Sequence, residues 1–210
     1  MTSAATVWLV DSRIVGEIEL QRGFLWLSAE ERLRYDAFLR PQRQRQFLIG
    51  RILLRIALGK LLELPAERIS LTGQSNHAPR LNWSGAAPYF SLSHSGSWVA
   101  CAVSLDTALG LDIEVINPAR DLIALAEQAF DPDEFARFGK LDSDDQLKAF
   151  YLLWSTKEAK FKLASNANSV NEISTQASCI DLSQTDLSII LCSSHALLAI
   201  PQIIRSDASE

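Results

Sequence analysis

The sequence predicts an α+β fold, and two observations carry this. Residues 42–63 and 143–162 each repeat apolar residues at helical spacing. Short runs at 89–93 and 109–115 alternate apolar and polar residues at strand period, and 98–104 and 187–192 are short apolar runs of strand length. Groups of helices followed by groups of strands are the pattern of an α+β chain.

Residues 6–10 are a strand candidate. Ser28 followed by Glu31 makes a capping box for a helix that runs to about Leu39, where Pro41 interrupts. The long helix 42–63 has an apolar face of Phe47, Leu48, Ile52, Leu54, Leu58, Leu61 and Leu62, and Pro65 ends it. A short strand at 69–71 and a loop over 74–88 follow. The three strands 89–93, 98–104 and 109–115 predict a meander, with His94 and Asp112 at one rim. Short helices are expected at 122–130 and 132–139. The second long helix starts at a capping box of Ser143 and Gln146, with Asp144 and Asp145 where the helix dipole favours negative charge. After a Ser- and Asn-rich loop at 164–172, strands at 179–182, 187–192 and 196–200 close a second small sheet, and the tail frays.

The chain has 210 residues, 48% hydrophobic and 21% charged, enough for one or two globular units with a substantial core. A net charge of −5 argues against a nucleic-acid binder driven by bulk charge. No apolar run is long enough to span a bilayer and the N-terminus lacks a signal-peptide pattern, so the chain reads as cytoplasmic. Three cysteines without CxxC spacing support neither a disulfide framework nor a zinc knuckle, and Cys101 and Cys192 read as buried residues.

Two stretches carry chemistry. In 110–114, Gly-Leu-Asp-Ile-Glu, alternation puts Asp112 and Glu114 on one face of a strand. Adjacent carboxylates on a mainly apolar strand repel unless the face is wet or a cation lies between them. In 150–162, Trp154, Glu158 and Lys162 lie four apart and form one helix stripe, so Glu158 can complete such a site. A Glu-Lys pair at this spacing is also common decoration of a solvated helix. Seven arginines fall between Arg32 and Arg55, among them Arg34 and Arg45, against one acid, Asp36. They form either a solvated face or a local anion site for phosphate oxygens.

Phe90-Ser-Leu-Ser-His-Ser-Gly-Ser-Trp98, Gly110-Leu-Asp-Ile-Glu114 and Trp154-Ser-Thr-Lys-Glu-Ala-Lys-Phe-Lys162 occur in this order. Together they resemble the 4′-phosphopantetheinyl transferases of the surfactin-synthetase-activating type, over about residues 28–162. The resemblance implies a monomer of two pseudo-symmetric halves, 1–106 and 107–210, each a small mainly antiparallel sheet packed against a long helix. The active site would lie in the cleft between them. It implies transfer of the phosphopantetheine arm of coenzyme A to a serine of an apo acyl or peptidyl carrier protein, releasing adenosine 3′,5′-bisphosphate. Asp112, Glu114 and Glu158 would hold Mg²⁺ on the pyrophosphate, and Glu158 would take the serine proton. Lys162 would bind the pyrophosphate, Ser93, His94 and Arg34 the coenzyme A phosphates, and Arg120 with the first-helix arginines an acidic carrier.

The chain departs from the family pattern at three places. His77-Ala78-Pro79 replaces Gly-Lys-Pro, leaving Arg80 to reach the phosphate the lysine would bind; Glu31 stands at a basic position; and Ser165-Asn166-Ala167-Asn168 replaces a glycine-rich loop. Two other classes share parts of this pattern. A metal-dependent nuclease also pairs acids with Glu and Lys, but needs a positive groove. A non-catalytic coenzyme A or nucleotide-binding module would bind the ligand without loading a carrier.

Overall fold

Pro41 begins a helix instead of breaking one. The computed structural model describes residues 4–73, 78–166 and 177–208. In it Pro41 is the first residue of helix α3 (Pro41–Leu62), where its missing N–H is no loss. The preceding α2 (Ala29–Asp36) ends short of the expected Leu39. Its capping box forms as expected: Ser28 Oγ accepts the Glu31 N–H at 3.3 Å and Glu31 Oε2 accepts the Ser28 N–H at 2.9 Å. Helix α1 (Glu17–Leu25) was not expected, and its N-cap Gly16 makes no side-chain hydrogen bond that would mark it.

Two sheets and two long helices form four layers. The first sheet has the order β4 (Tyr89–Ser95), β5 (Trp98–Ser104), β1 (Thr6–Asp11) and β9 (Gln202–Arg205). The second has β6 (Leu109–Val115), β8 (Leu187–Ser193) and β7 (Ser178–Asp181). A two-stranded hairpin, β2 (Leu71–Thr72) and β3 (Arg80–Leu81), lies apart. Strand alternation divides each sheet's residues between two neighbours. Trp8, Val10, Val99, Cys101 and Val103 pack with α3, whereas Val7, Leu9, Ala100 and Ala102 meet Leu109, Leu111, Ile113, Ile189 and Leu191 of the second sheet. The outer face of the second sheet receives α6 (Ser143–Asn166) through Ala159, Leu163, Ile190 and Cys192. Helices α4 (Leu122–Ala129) and α5 (Pro132–Phe138) cover the start of α6 in a cluster that includes Phe130, Phe138, Phe150 and Tyr151.

Several expectations change. The meander is not formed: β4 and β5 are an antiparallel hairpin, but β6 pairs with β8. A strand at 196–200 is replaced by β9, which leaves the second sheet and runs parallel to β1 in the first. The cap of α6 is Asp142, whose Oδ1 accepts the Asp145 N–H at 3.0 Å, one residue before Ser143. Cys192 is buried as expected, but it is bonded to Cys179, because the β7–β8 register sets the two directly opposite. Cys101 is a free buried thiol. Among the described residues, no helix is long and apolar enough to cross a membrane.

Candidate active site

Gly110 fixes how closely α6 can lie on β6. A Cβ there would overlap the Ala159 carbonyl oxygen and stand 2.5 Å from the Leu163 amide nitrogen. Without it, the helix backbone settles on the strand, and Tyr151, Ser155, Ala159 and Leu163 form its buried stripe. The next stripe carries Trp154, Glu158 and Lys162, and its last member reaches Asp112 of that strand.

The inner edge of each sheet is bridged to the other by serine hydroxyls. β4 and β6 are edge strands of different sheets, with no ladder between them. The backbone N–H groups of Leu111, Ile113 and Val115 instead donate to Ser91, Ser93 and Ser95 Oγ at 2.9, 3.2 and 3.0 Å. Buried N–H groups need such partners.

Asp112 is the buried centre of the site, at 4% exposure. Its Oδ1 accepts from Ser93 Oγ at 3.1 Å and from Lys162 Nζ at 2.8 Å. Lys162 also donates to Ser93 Oγ at 2.9 Å. The Ser93 hydroxyl thereby has its proton on Asp112 and accepts two further hydrogen bonds, the full inventory of a hydroxyl. Asp112 Oδ2 is buried with no hydrogen-bond partner. Glu114 accepts from Ser95 Oγ at 2.7 Å. Burial raises its pKa, the Ser95 hydrogen bond opposes this, and the charge of Asp112 raises it further. Glu158 is half-buried, one turn before Lys162. Among the described residues no three acid, imidazole or thiol groups are grouped so as to hold a metal ion, so the three-carboxylate set expected from the sequence is not assembled in this structure. Asp112 and Glu114 do share a face, as expected, since both accept from alternate serines of one strand.

Ser93 and Lys162, the two residues that hold Asp112, also line a cavity of about 560 Å³, whose wall includes Arg34, Arg43, Arg51, His94 and Phe161. That is the size of a small-ligand site. The arginines repel one another. Arg43 is held below the usual guanidinium range by burial and by the charge of Arg34. Burial, opposed by Glu31, lowers Arg51 to about 10. Arg51 and Arg55 meet Glu31 at 3.1 and 2.6 Å, so the acid at the family's basic position is an internal counterion. His94 lies against Arg43, with Nε2 facing the guanidinium. Desolvation, then Arg43 and Lys162, lower its pKa to about 4, so the ring is a neutral acceptor at pH 7.

Of the other candidates, Arg34 lines the cavity, with its guanidinium over Phe47. Arg45 does not: it donates to the Ser12 and Val15 carbonyls and lines a different depression. Helical spacing explains the exchange, because Arg43, Phe47, Gly50 and Arg51 fall on one face of α3 and Arg45 on another. That same spacing in the sequence would have selected Arg43. Arg80 is exposed in β3 and is not on the cavity wall, although Ala78 and Pro79 are. His77, Ala167 and Asn168 lie outside the described residues. Lys157 pairs with Glu134 of α5 at 2.7 Å.

Residues 17–106 match the model of the 4′-phosphopantetheinyl transferase N-terminal domain, and residues 108–200 that of the 4′-phosphopantetheinyl transferase superfamily. The 4′-phosphopantetheinyl transferase AcpT of Salmonella typhimurium is 33% identical over 167 residues, which cover 77% of this chain and 83% of the relative. The chain belongs to the 4′-phosphopantetheinyl transferase family. Members with less complete coverage include HetI of Nostoc sp., 32% identical over 70% of this chain, and Sfp of Bacillus subtilis, 29% identical over 71%. The matched stretch spans less than two thirds of the length of several curated relatives, 62% of HetI and 65% of Sfp among them.

Proposed function

We propose that this chain moves the 4′-phosphopantetheine arm of coenzyme A to the serine hydroxyl of an apo acyl or peptidyl carrier protein, as a Mg²⁺-dependent monomer of the cytoplasm. The observation that carries this reading is Asp112 directly behind the wall of an arginine-lined cavity, one oxygen engaged by Ser93 and Lys162 of that wall and the other buried without a partner. A buried carboxylate oxygen in that condition is costly unless a cation or donor arrives. A hard divalent ion suits it, since Mg²⁺ takes one or two carboxylates and completes its shell with water and substrate phosphates.

In this reading Asp112, with Glu114 and Glu158 drawn to the same point, would hold Mg²⁺, which would supply the charge that neutralises the pyrophosphate. The remaining work belongs to the chain. Lys162 turns its ammonium to the pyrophosphate. Arg34 and Arg43, on the wall of the cavity, grip the phosphates of coenzyme A, while Arg51, already paired with Glu31, adds positive charge beside them. His94, neutral at pH 7, takes part by hydrogen bonding at the cleft mouth. Glu158 accepts the proton of the carrier serine as its oxygen attacks the β-phosphorus. The bond from that phosphorus to the bridging oxygen breaks, and adenosine 3′,5′-bisphosphate leaves. The division into 1–106 and 107–210 enters as the two walls of the cleft, with β4 on one and β6 on the other.

Intact-mass spectrometry of a panel of apo carriers, incubated with the protein, coenzyme A and Mg²⁺, tests the reading. It expects one phosphopantetheine added per carrier serine. Coenzyme A binding with no mass gain on any carrier would replace it with a binding module.

A further inference from the structure

The serines of β4 are not equivalent. Ser91, Ser93 and Ser95 each accept one backbone N–H from β6, and to that extent all three join the sheets. The residues of β6 on the acid-bearing face are Gly110, Asp112 and Glu114. Ser93 therefore donates to Asp112 and Ser95 to Glu114, whereas Ser91 has no carboxylate opposite it. The geometry matters because a serine hydroxyl anchored as an acceptor by a fixed N–H has its proton directed elsewhere. At Ser95 that direction is Glu114 Oε2, 2.7 Å away.

We propose that Ser95 is a positioning residue: pinned by the Val115 N–H, its hydroxyl aims the Glu114 carboxylate at the cation site, so that a strand of one sheet orients a metal-binding acid on the other. This rests on the functional reading above. The hydrogen bond holds one carboxylate oxygen, Oε2, and so limits how the carboxylate can turn, the usual task of a group behind a metal ligand. Ser93 does the same for Asp112, but it also contacts Lys162, so its removal disturbs two groups at once. Ser95 is the cleaner case.

Mn²⁺ titration by electron paramagnetic resonance, in the presence of coenzyme A, separates positioning from plain seam stability. Ser95→Ala is expected to weaken Mn²⁺ binding by at least about tenfold. Coenzyme A affinity measured without metal should stay the same, and Ser95→Thr should restore Mn²⁺ binding. Ser91→Ala, which removes an equivalent seam hydrogen bond, is expected to leave Mn²⁺ affinity near wild type. Should Ser95→Ala fold poorly, Ser95→Cys keeps a side chain of similar size with a weaker donor and is expected to lose affinity in the same direction. Equal losses in Ser91→Ala and Ser95→Ala, or no loss in both Ser95→Ala and Ser95→Cys, overturn the assignment while leaving the functional reading intact. Wild-type protein that binds no Mn²⁺ with coenzyme A present overturns both.

Discussion

Lys162 Nζ stands 2.8 Å from Asp112 Oδ1, joining the end of α6 to the middle of β6. The ammonium occupies one side of the carboxylate, and the far oxygen, Oδ2, has no hydrogen-bond partner. A buried carboxylate oxygen without a partner is costly, and the proposed cation would relieve that cost.

Asp112→Asn and Glu158→Gln are nearly isosteric and remove one charge each. Each should lower transfer to a carrier by about 100-fold or more, with far-ultraviolet circular dichroism unchanged. Turnover near wild type in purified Glu158→Gln protein would remove Glu158 as the base.

Gly110→Ala sets a methyl group against the backbone of α6, not against a flexible side chain. The helix must move, so the variant should lose about 1–3 kcal/mol in urea unfolding. Because Glu158 and Lys162 ride on that helix, activity should fall even in the folded fraction. A stable, fully active Gly110→Ala protein would mean that the close approach is not needed.

Glu31 is 1% exposed and serves two buried guanidinium groups. Glu31→Gln strands Arg51 and Arg55 as buried like charges. Removing one partner from a buried ionic group costs about 3–5 kcal/mol, which chemical denaturation will read. A loss below about 1 kcal/mol would show that the arginines find water, as exposed ion pairs do.

The pKa of His94, about 4, lies below the ordinary imidazole value of 6.5. Between these values the unfolded chain binds the proton more readily than the folded one. The contribution of the neutral ring to stability is therefore complete above pH 6.5 and is lost as the pH falls to about 4. The ring reaches solvent, which makes the effect shallow. Thermal melts across this range should show a larger drop in Tm for the wild type than for His94→Gln; parallel curves would contradict the shift.

Much of this arrangement is legible in the sequence where local physics decides it. The capping box of α2, the stripe of Glu158 and Lys162, and the shared face of Asp112 and Glu114 follow from spacing alone. Long-range pairing is not legible in this way. Nothing local to 109–115 says that β6 abandons the β4–β5 hairpin for β8, or that β9 returns to β1. The same limit hid the Cys179–Cys192 bond, which depends on the β7–β8 register. The serines of β4 were visible as alternating residues, but their role appears only once β6 lies beside them. Arg43 was hidden differently: it was one arginine among seven, and only its phase relative to Arg51 on α3 distinguishes it from Arg45.

The most direct measurement is the anomalous diffraction of crystals grown with Mn²⁺ and coenzyme A. The account predicts one strong peak bonded to the carboxylates of Asp112, Glu114 and Glu158 and to pyrophosphate oxygens, with Lys162 directed at the same phosphates. A peak elsewhere, or coenzyme A bound in the cleft with Glu158 turned away from the metal, would contradict it.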